Sequence, residues 1–104
     1  MNLGMLPPKY VRAINLDNKT KTNISVISTF KSGATETYNI LPDEKTKISR
    51  EIDQGTFKTV DPIEKLEVSS GEITQVLTFD PQGVEIRNYQ VNLDGNTFKF
   101  QLLA

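Results

Sequence analysis

One serine–lysine string and five carboxylates are the candidates for chemistry in this chain. Ser28-Thr29-Phe30-Lys31 matches the S-x-x-K string of serine β-lactamases, and Lys31-Ser32-Gly33 resembles their K-[ST]-G. That chemistry needs serine and lysine one helical turn apart, whereas a strand here puts Ser28 and Lys31 on opposite faces. The two strings also overlap, and no S-D-N accompanies them. Asp53, Asp61, Glu64, Glu67 and Glu72 are the candidates for a glycosidase-type carboxylate pair. They fall in polar turns and on strand faces, where solvated carboxylates belong. The chain has no histidine and no cysteine, which removes Ser-His-Asp and Cys-His nucleophiles, the usual zinc sites and disulfides. No catalytic, cofactor or metal site is therefore assigned, and the chain reads as a non-enzyme.

Calcium needs only oxygen ligands, and Asp17-Asn18, Asp43-Glu44 and Asp94-Gly95-Asn96 lie in predicted turns. None has the spacing of an EF-hand loop, and Asp and Asn are favoured in turns because their side chains bond the local backbone. Asn18-Lys19-Thr20 and Asn23-Ile24-Ser25 are formal glycosylation acceptors that matter only in a secreted chain.

The elements that position these residues are strands. From Thr22 to Leu41 two arms fold back through Lys31-Ser32-Gly33. Ile24, Val26, Ser28 and Phe30 share one face of the first arm, and Glu36, Tyr38 and Ile40 share one face of the second. Lys9–Leu16 alternates Tyr10, Arg12, Ile14 and Leu16 against Val11, Ala13 and Asn15, and a polar turn over 17–21 follows. Met1–Pro8 reads as an irregular arm because Pro7 and Pro8 lack amide donors, with Met5 and Leu6 free to tuck into the core. A strand is expected over Thr46–Ile52, with a short helix as its competitor, and a β-branched run over Thr56–Val60.

Ile63–Ser69 forms another strand, and Glu72–Asp80 reads as a central strand with apolar residues on both faces. Asp80-Pro81-Gln82-Gly83 signals a type I turn. Val84–Asn92 changes phase, which points to a bulge or a strand crossing between sheets. Asp94-Gly95 marks a hairpin into Phe98, Phe100 and Leu102. Seven or eight strands without a convincing helix indicate an antiparallel β-sandwich, with a small barrel as the alternative.

The length of 104 residues fits a single domain, and 37% hydrophobic with 24% charged residues fits a globular one. A net charge of −1 supplies no general field for nucleic acid or an anionic membrane. Five bases oppose Asp17 alone within residues 1–31, whereas nine acids oppose five bases within 32–72, so an acidic edge meeting a basic partner is one reading. The nearest approach to a nucleic-acid surface is Tyr10 between Lys9 and Arg12, which is thin. No run resembles a signal peptide or a membrane span. A soluble, cytoplasmic protein is expected, with secretion of a processed chain as the alternative.

From Val11 to Phe57 the order of signposts resembles the β-domain of the von Hippel-Lindau tumour suppressor family. VRAIN ends a strand in asparagine, STFKSG leads into a glycine turn, YNILPDE carries tyrosine before leucine-proline, TKI follows, and GTF closes the series. The resemblance implies a β-sandwich. That family holds a proline-hydroxylated peptide in a pocket that includes tryptophan and histidine, and its helical domain recruits ubiquitin-ligase subunits. This chain has neither residue type, and Pro42-Asp43 replaces the usual Pro-Gly, so no binding residue is carried over.

The expected function is a non-catalytic protein-interaction module, an adaptor or a subunit of an assembly. Ile27, Val76 and Leu103 would face outward, and exposed strand edges would accept a partner strand. The second expectation is a carbohydrate or other small ligand at one end of the sandwich, with Tyr38 and Tyr89 as stacking surfaces. The third is a protease inhibitor using the Leu93–Asn96 tip.

Overall fold

Alternating apolar side chains give one face of most strands a core to join, and among the described residues the β-rich runs resolve into ten strands. The computed structural model describes residues 7–103, so Met5 and Leu6 lie outside the described residues, while Pro7 and Pro8 are exposed and irregular. The strands are β1 (Tyr10–Asn18), β2 (Ile24–Phe30), β3 (Thr35–Ile40), β4 (Lys45–Ile48), β5 (Glu51–Asp53), β6 (Lys58–Val60), β7 (Ile63–Ser70), β8 (Ile73–Thr78), β9 (Val84–Asp94) and β10 (Thr97–Leu103).

Eight strands form one mixed sheet that folds on itself as two leaves, β10-β9-β1-β4 and β8-β7-β2-β3. The leaves share a ladder only where Val11 pairs with Ile63. Between them lies one core, with Ile14, Leu16, Val91 and Phe98 from the first leaf and Ile24, Phe30, Leu66 and Val68 from the second. Each such side chain contributes about 1.5–3 kcal/mol on full burial. The fold is the expected all-β sandwich and does not close into a barrel. β5 and β6 form a separate hairpin between β4 and β7.

Several local expectations are corrected. β1 and β9 pair in parallel, so the sheet is mixed rather than wholly antiparallel. The bulge lies on β1, where Val11 pairs Glu85 and Ala13 pairs Ile86, leaving Arg12 as the extra residue. β9 itself continues without a slip, and Val84 and Ile86 simply face outward. β8 pairs only with β7 and is therefore an edge strand, not a central one. The expected Thr46–Ile52 strand divides at Ser49-Arg50, because the Arg50 carbonyl accepts from the Asp61 amide at 2.9 Å and draws the chain into the hairpin. Thr56 and Phe57 lie outside β6, at the tip of that hairpin.

Asp17 and Asn18 extend β1 instead of turning, and both are buried. The Asn18 amide nitrogen donates to the carbonyls of Thr22 and Ile40, and its oxygen accepts from the Thr20 amide and hydroxyl. This side chain thus ties the first turn to the end of β3, and its burial makes Asn18 inaccessible as a glycosylation acceptor. The central hairpin forms as expected, with Gly33 at φ 94° supplying the left-handed turn residue.

Candidate functional site

Ser28 is fully buried on the inner face of β2, and its hydroxyl has no hydrogen-bond partner, whereas Lys31 is exposed in the following turn. No base reaches that hydroxyl. An unpaired buried hydroxyl carries a desolvation cost of about 1–3 kcal/mol. Ser28→Ala is therefore expected to leave stability unchanged or raise it by up to about 1 kcal/mol, read as the urea midpoint.

The candidate carboxylates have separate local roles. Asp61 is buried and binds Arg50 and Ser32, Asp53 accepts from the Gly55 amide, and Glu67 pairs with Lys65 at 3.7 Å. Glu64 and Glu72 are exposed. Asp17 at the end of β1 and Asp43 in the turn after β3 do approach each other, but the Lys19 ammonium sits between them, 3.5 Å from Asp17 and 3.6 Å from Asp43. Among the described residues no three acidic side chains cluster as a metal site would require.

The outer face of the β3-β2-β7-β8 leaf carries mostly uncharged side chains, with Lys65 and Glu67 paired on it. Thr37, Ile27, Glu67 and Val76 form one row across it, with Asn39-Ser25-Ser69-Thr74 and Thr35-Thr29-Lys65-Thr78 on either side. Ile27 is 36% and Val76 50% exposed, as the alternation requires. Leu103 is half-buried at the end of β10 in the other leaf, so it does not join this surface.

Neither tyrosine is a stacking platform. Tyr89 is buried, 6.4 Å from the Phe79 ring, and accepts a hydrogen bond from Arg87. Tyr38 is half-buried, and its hydroxyl donates to Glu36 at 2.8 Å. Burial, then the bond and the charge of Glu36, push the Tyr38 phenol up to about 12, against a smaller opposing effect of the Ser49 amide. A raised folded-state value means that this contribution to stability is complete below the unfolded value and is lost as pH rises from about 10 to 12. Tyr38→Phe is expected to flatten that part of the alkaline stability profile, measured by urea unfolding at successive pH values.

Among the described residues the sheet has four edge strands, β4, β8, β10 and β3. β4 is only four residues long and carries Lys45 and Lys47. β8 and β10 approach each other, and the Gln75 side chain spans the gap: its nitrogen donates to the Phe98 carbonyl and its oxygen accepts from the Phe98 amide, each at 3.0 Å. Gln75 thereby satisfies the outward amide and carbonyl of Phe98, one residue of the β10 edge. Gln75→Ala is expected to cost about 1–2 kcal/mol by leaving that amide and carbonyl unpaired, and to speed exchange of the Phe98 amide.

β3 is the fourth edge. It runs six residues, Thr-Glu-Thr-Tyr-Asn-Ile, with no lysine and no proline. The Phe30 amide bonds the Ala34 carbonyl, which sets the alternation along the hairpin. Glu36, Tyr38 and Ile40 direct their backbone groups at β2, and Thr35, Thr37 and Asn39 direct theirs away. Among the described residues no strand pairs on that side.

Sequence patterning missed two further features. Phe57 is 60% exposed at the tip of the β5–β6 hairpin, although it was expected within a strand. Tyr10 and Phe79 line an opening of about 230 Å³ at one end of the sandwich, with Pro62 and Pro81. The proline turns on either side of β7 and β8 were the available signal for the latter.

No protein-family model matches this chain. No curated protein matches it either. Among solved structures it is similar to the NMR structure of a protein from Eubacterium rectale, with a TM-score of 0.53 and 18% identity over 96% of this chain and 93% of that one. At that identity the likeness shows the fold alone. Among the described residues no helix is long and apolar enough to cross a membrane.

Proposed function

We propose that this domain is a non-catalytic protein-interaction module that takes an extended segment of a partner protein as an additional strand along β3. The observation that carries the proposal is the β3 edge itself: six residues with no lysine and no proline, and no strand on their outer side among the described residues. By contrast, β4 is short and carries two lysines, and β8 and β10 approach each other and are tied by Gln75 at Phe98. Sheet proteins ordinarily blunt a free edge, because its unpaired amides and carbonyls template pairing with another chain. A six-residue open edge is long enough to give a partner segment main-chain hydrogen bonds, and alternate side chains then give specificity. Beside β3, Ile27 offers the partner an apolar contact next to Thr37.

The test is selection of peptides from a random display library, with Thr37→Pro as the counter-target. Peptides that bind the native chain and not the variant support strand addition. Binders indifferent to the variant would overturn it, as would a stable dimer through β3 in light scattering, which would make a second copy the occupant.

A second reading, small-ligand binding, draws on the Tyr10–Phe79 opening, whose aromatic and proline walls suit a sugar ring or a similar small molecule. A glycan array and a thermal-shift panel check it. A hit abolished by Phe79→Ala would favour this reading over strand addition.

A further inference from the structure

The bulge on β1 opens a cleft. β4 covers β1 from Ile14 to Asp17, and β7 meets it at Val11, so Arg12 and Ala13 have no strand beside them on that side. β4 ends at Ile48, and the chain departs through Ser49 and Arg50 toward the β5–β6 hairpin. The resulting cleft has a volume of about 70 Å³. Ala13, Val60 and Ile86 give it apolar walls, and Arg12, Lys47 and Arg50 reach it from β1, β4 and the segment after β4.

The charges at this cleft are unequally matched. Arg50 and Arg87 each hold a carboxylate at 2.7 Å, from Asp61 and Glu85 respectively. Arg12 and Lys47 have no carboxylate within 4 Å among the described residues. Because the Arg50 charge is already answered by Asp61, Arg12 and Lys47 stand against Glu51 alone. Bulges re-aim a side chain, and here the extra residue is the arginine.

We propose that this cleft binds the oxyanion group of a small ligand, a carboxylate or a phosphate, between the Arg12 guanidinium and the Lys47 ammonium. A guanidinium presents two parallel donors to such a group, which fixes its orientation as well as its charge. The cleft has room for a group of that size and little more, so the remainder of the ligand lies outward over Ile86, which is 55% exposed.

The proposal is tested by amide-resolved NMR titration at low ionic strength, with inorganic phosphate in one arm and succinate in the other. Saturable shifts confined to Arg12, Ala13 and 47–51 are expected in at least one arm, and the arm that saturates identifies the oxyanion. Arg12→Gln and, in parallel, Lys47→Gln should each weaken binding by about tenfold, with Lys21→Gln as a neutral control. Arg12 and Lys47 are exposed, so the unfolding midpoint of both variants should match that of the native chain. Non-saturating drift in both arms would overturn the proposal, as would shifts that neither cleft variant reduces.

Discussion

Thr37→Pro is expected to leave the domain folded while weakening a strand-adding partner by about a hundredfold, roughly 2.7 kcal/mol. The Thr37 amide faces away from β2, so proline there breaks no bond of the existing ladder. It does remove a donor that the added strand would use, and its ring obstructs close approach. Glu36→Pro is the matched contrast. The Glu36 amide faces β2, and its loss is expected to cost on the order of 3 kcal/mol in stability. Titration calorimetry with a selected peptide and urea unfolding of both variants separate the two effects. Equal destabilisation by the two prolines would contradict the assigned direction of the β3 amides.

Asp61→Ala is expected to lower stability by about 2–3 kcal/mol. Breaking a buried ion pair typically costs about 3–5 kcal/mol, but the Arg50 side chain is 32% exposed, and water recovers part of the loss. Asp61 also accepts from the Ser32 hydroxyl at 2.6 Å and the Ser32 amide at 3.1 Å, so it ties the central hairpin turn to the base of the β5–β6 hairpin. Burial pushes the Asp61 carboxyl up, but the Ser32 bonds and the Arg50 guanidinium together outweigh it and hold the group below the ordinary carboxylate range.

A depressed folded-state value means that this stability is present above the unfolded value, near 4, and is lost as pH falls through the folded one. Asp61→Asn keeps the shape without the charge, so its stability should vary less with pH below about 4 than that of the native chain. Urea midpoints between pH 2 and 6, on the order of the carboxylate range, measure the difference. Identical acid profiles for the native and Asn chains would contradict this assignment.

The local part of the fold was legible because the residues that decide it are close in sequence. The hairpins at Gly33 and Gly95 carry their own turn residues, and period-two patterning correctly grouped the inward residues of β2 and β3 on one face each. The pairing of β1 with β9 was hidden, because nothing in Tyr10–Asn18 specifies a parallel partner some seventy residues away. The bulge at Arg12 was hidden with that pairing, and the apparent phase change in β9 came from Val84 and Ile86, apolar residues that face outward.

β8 read as central because Val76 and Leu77 place apolar groups on both faces. Its place at an edge depends on how many neighbours it has, which a single strand does not encode. The open edge was partly visible in sequence. Residues 35–40 hold none of the lysines or prolines that protect edges, but this becomes informative only once β3 is known to be the outermost strand.

Amide hydrogen exchange on the native chain, alone and saturated with a selected peptide, tests strand addition at β3 most directly. In the free protein the Thr35, Thr37 and Asn39 amides should exchange quickly and those of Glu36, Tyr38 and Ile40 slowly. Binding should protect the first three. Protection appearing instead at β8, at β10 or around Tyr10 and Phe79, with those three unchanged, would contradict the account.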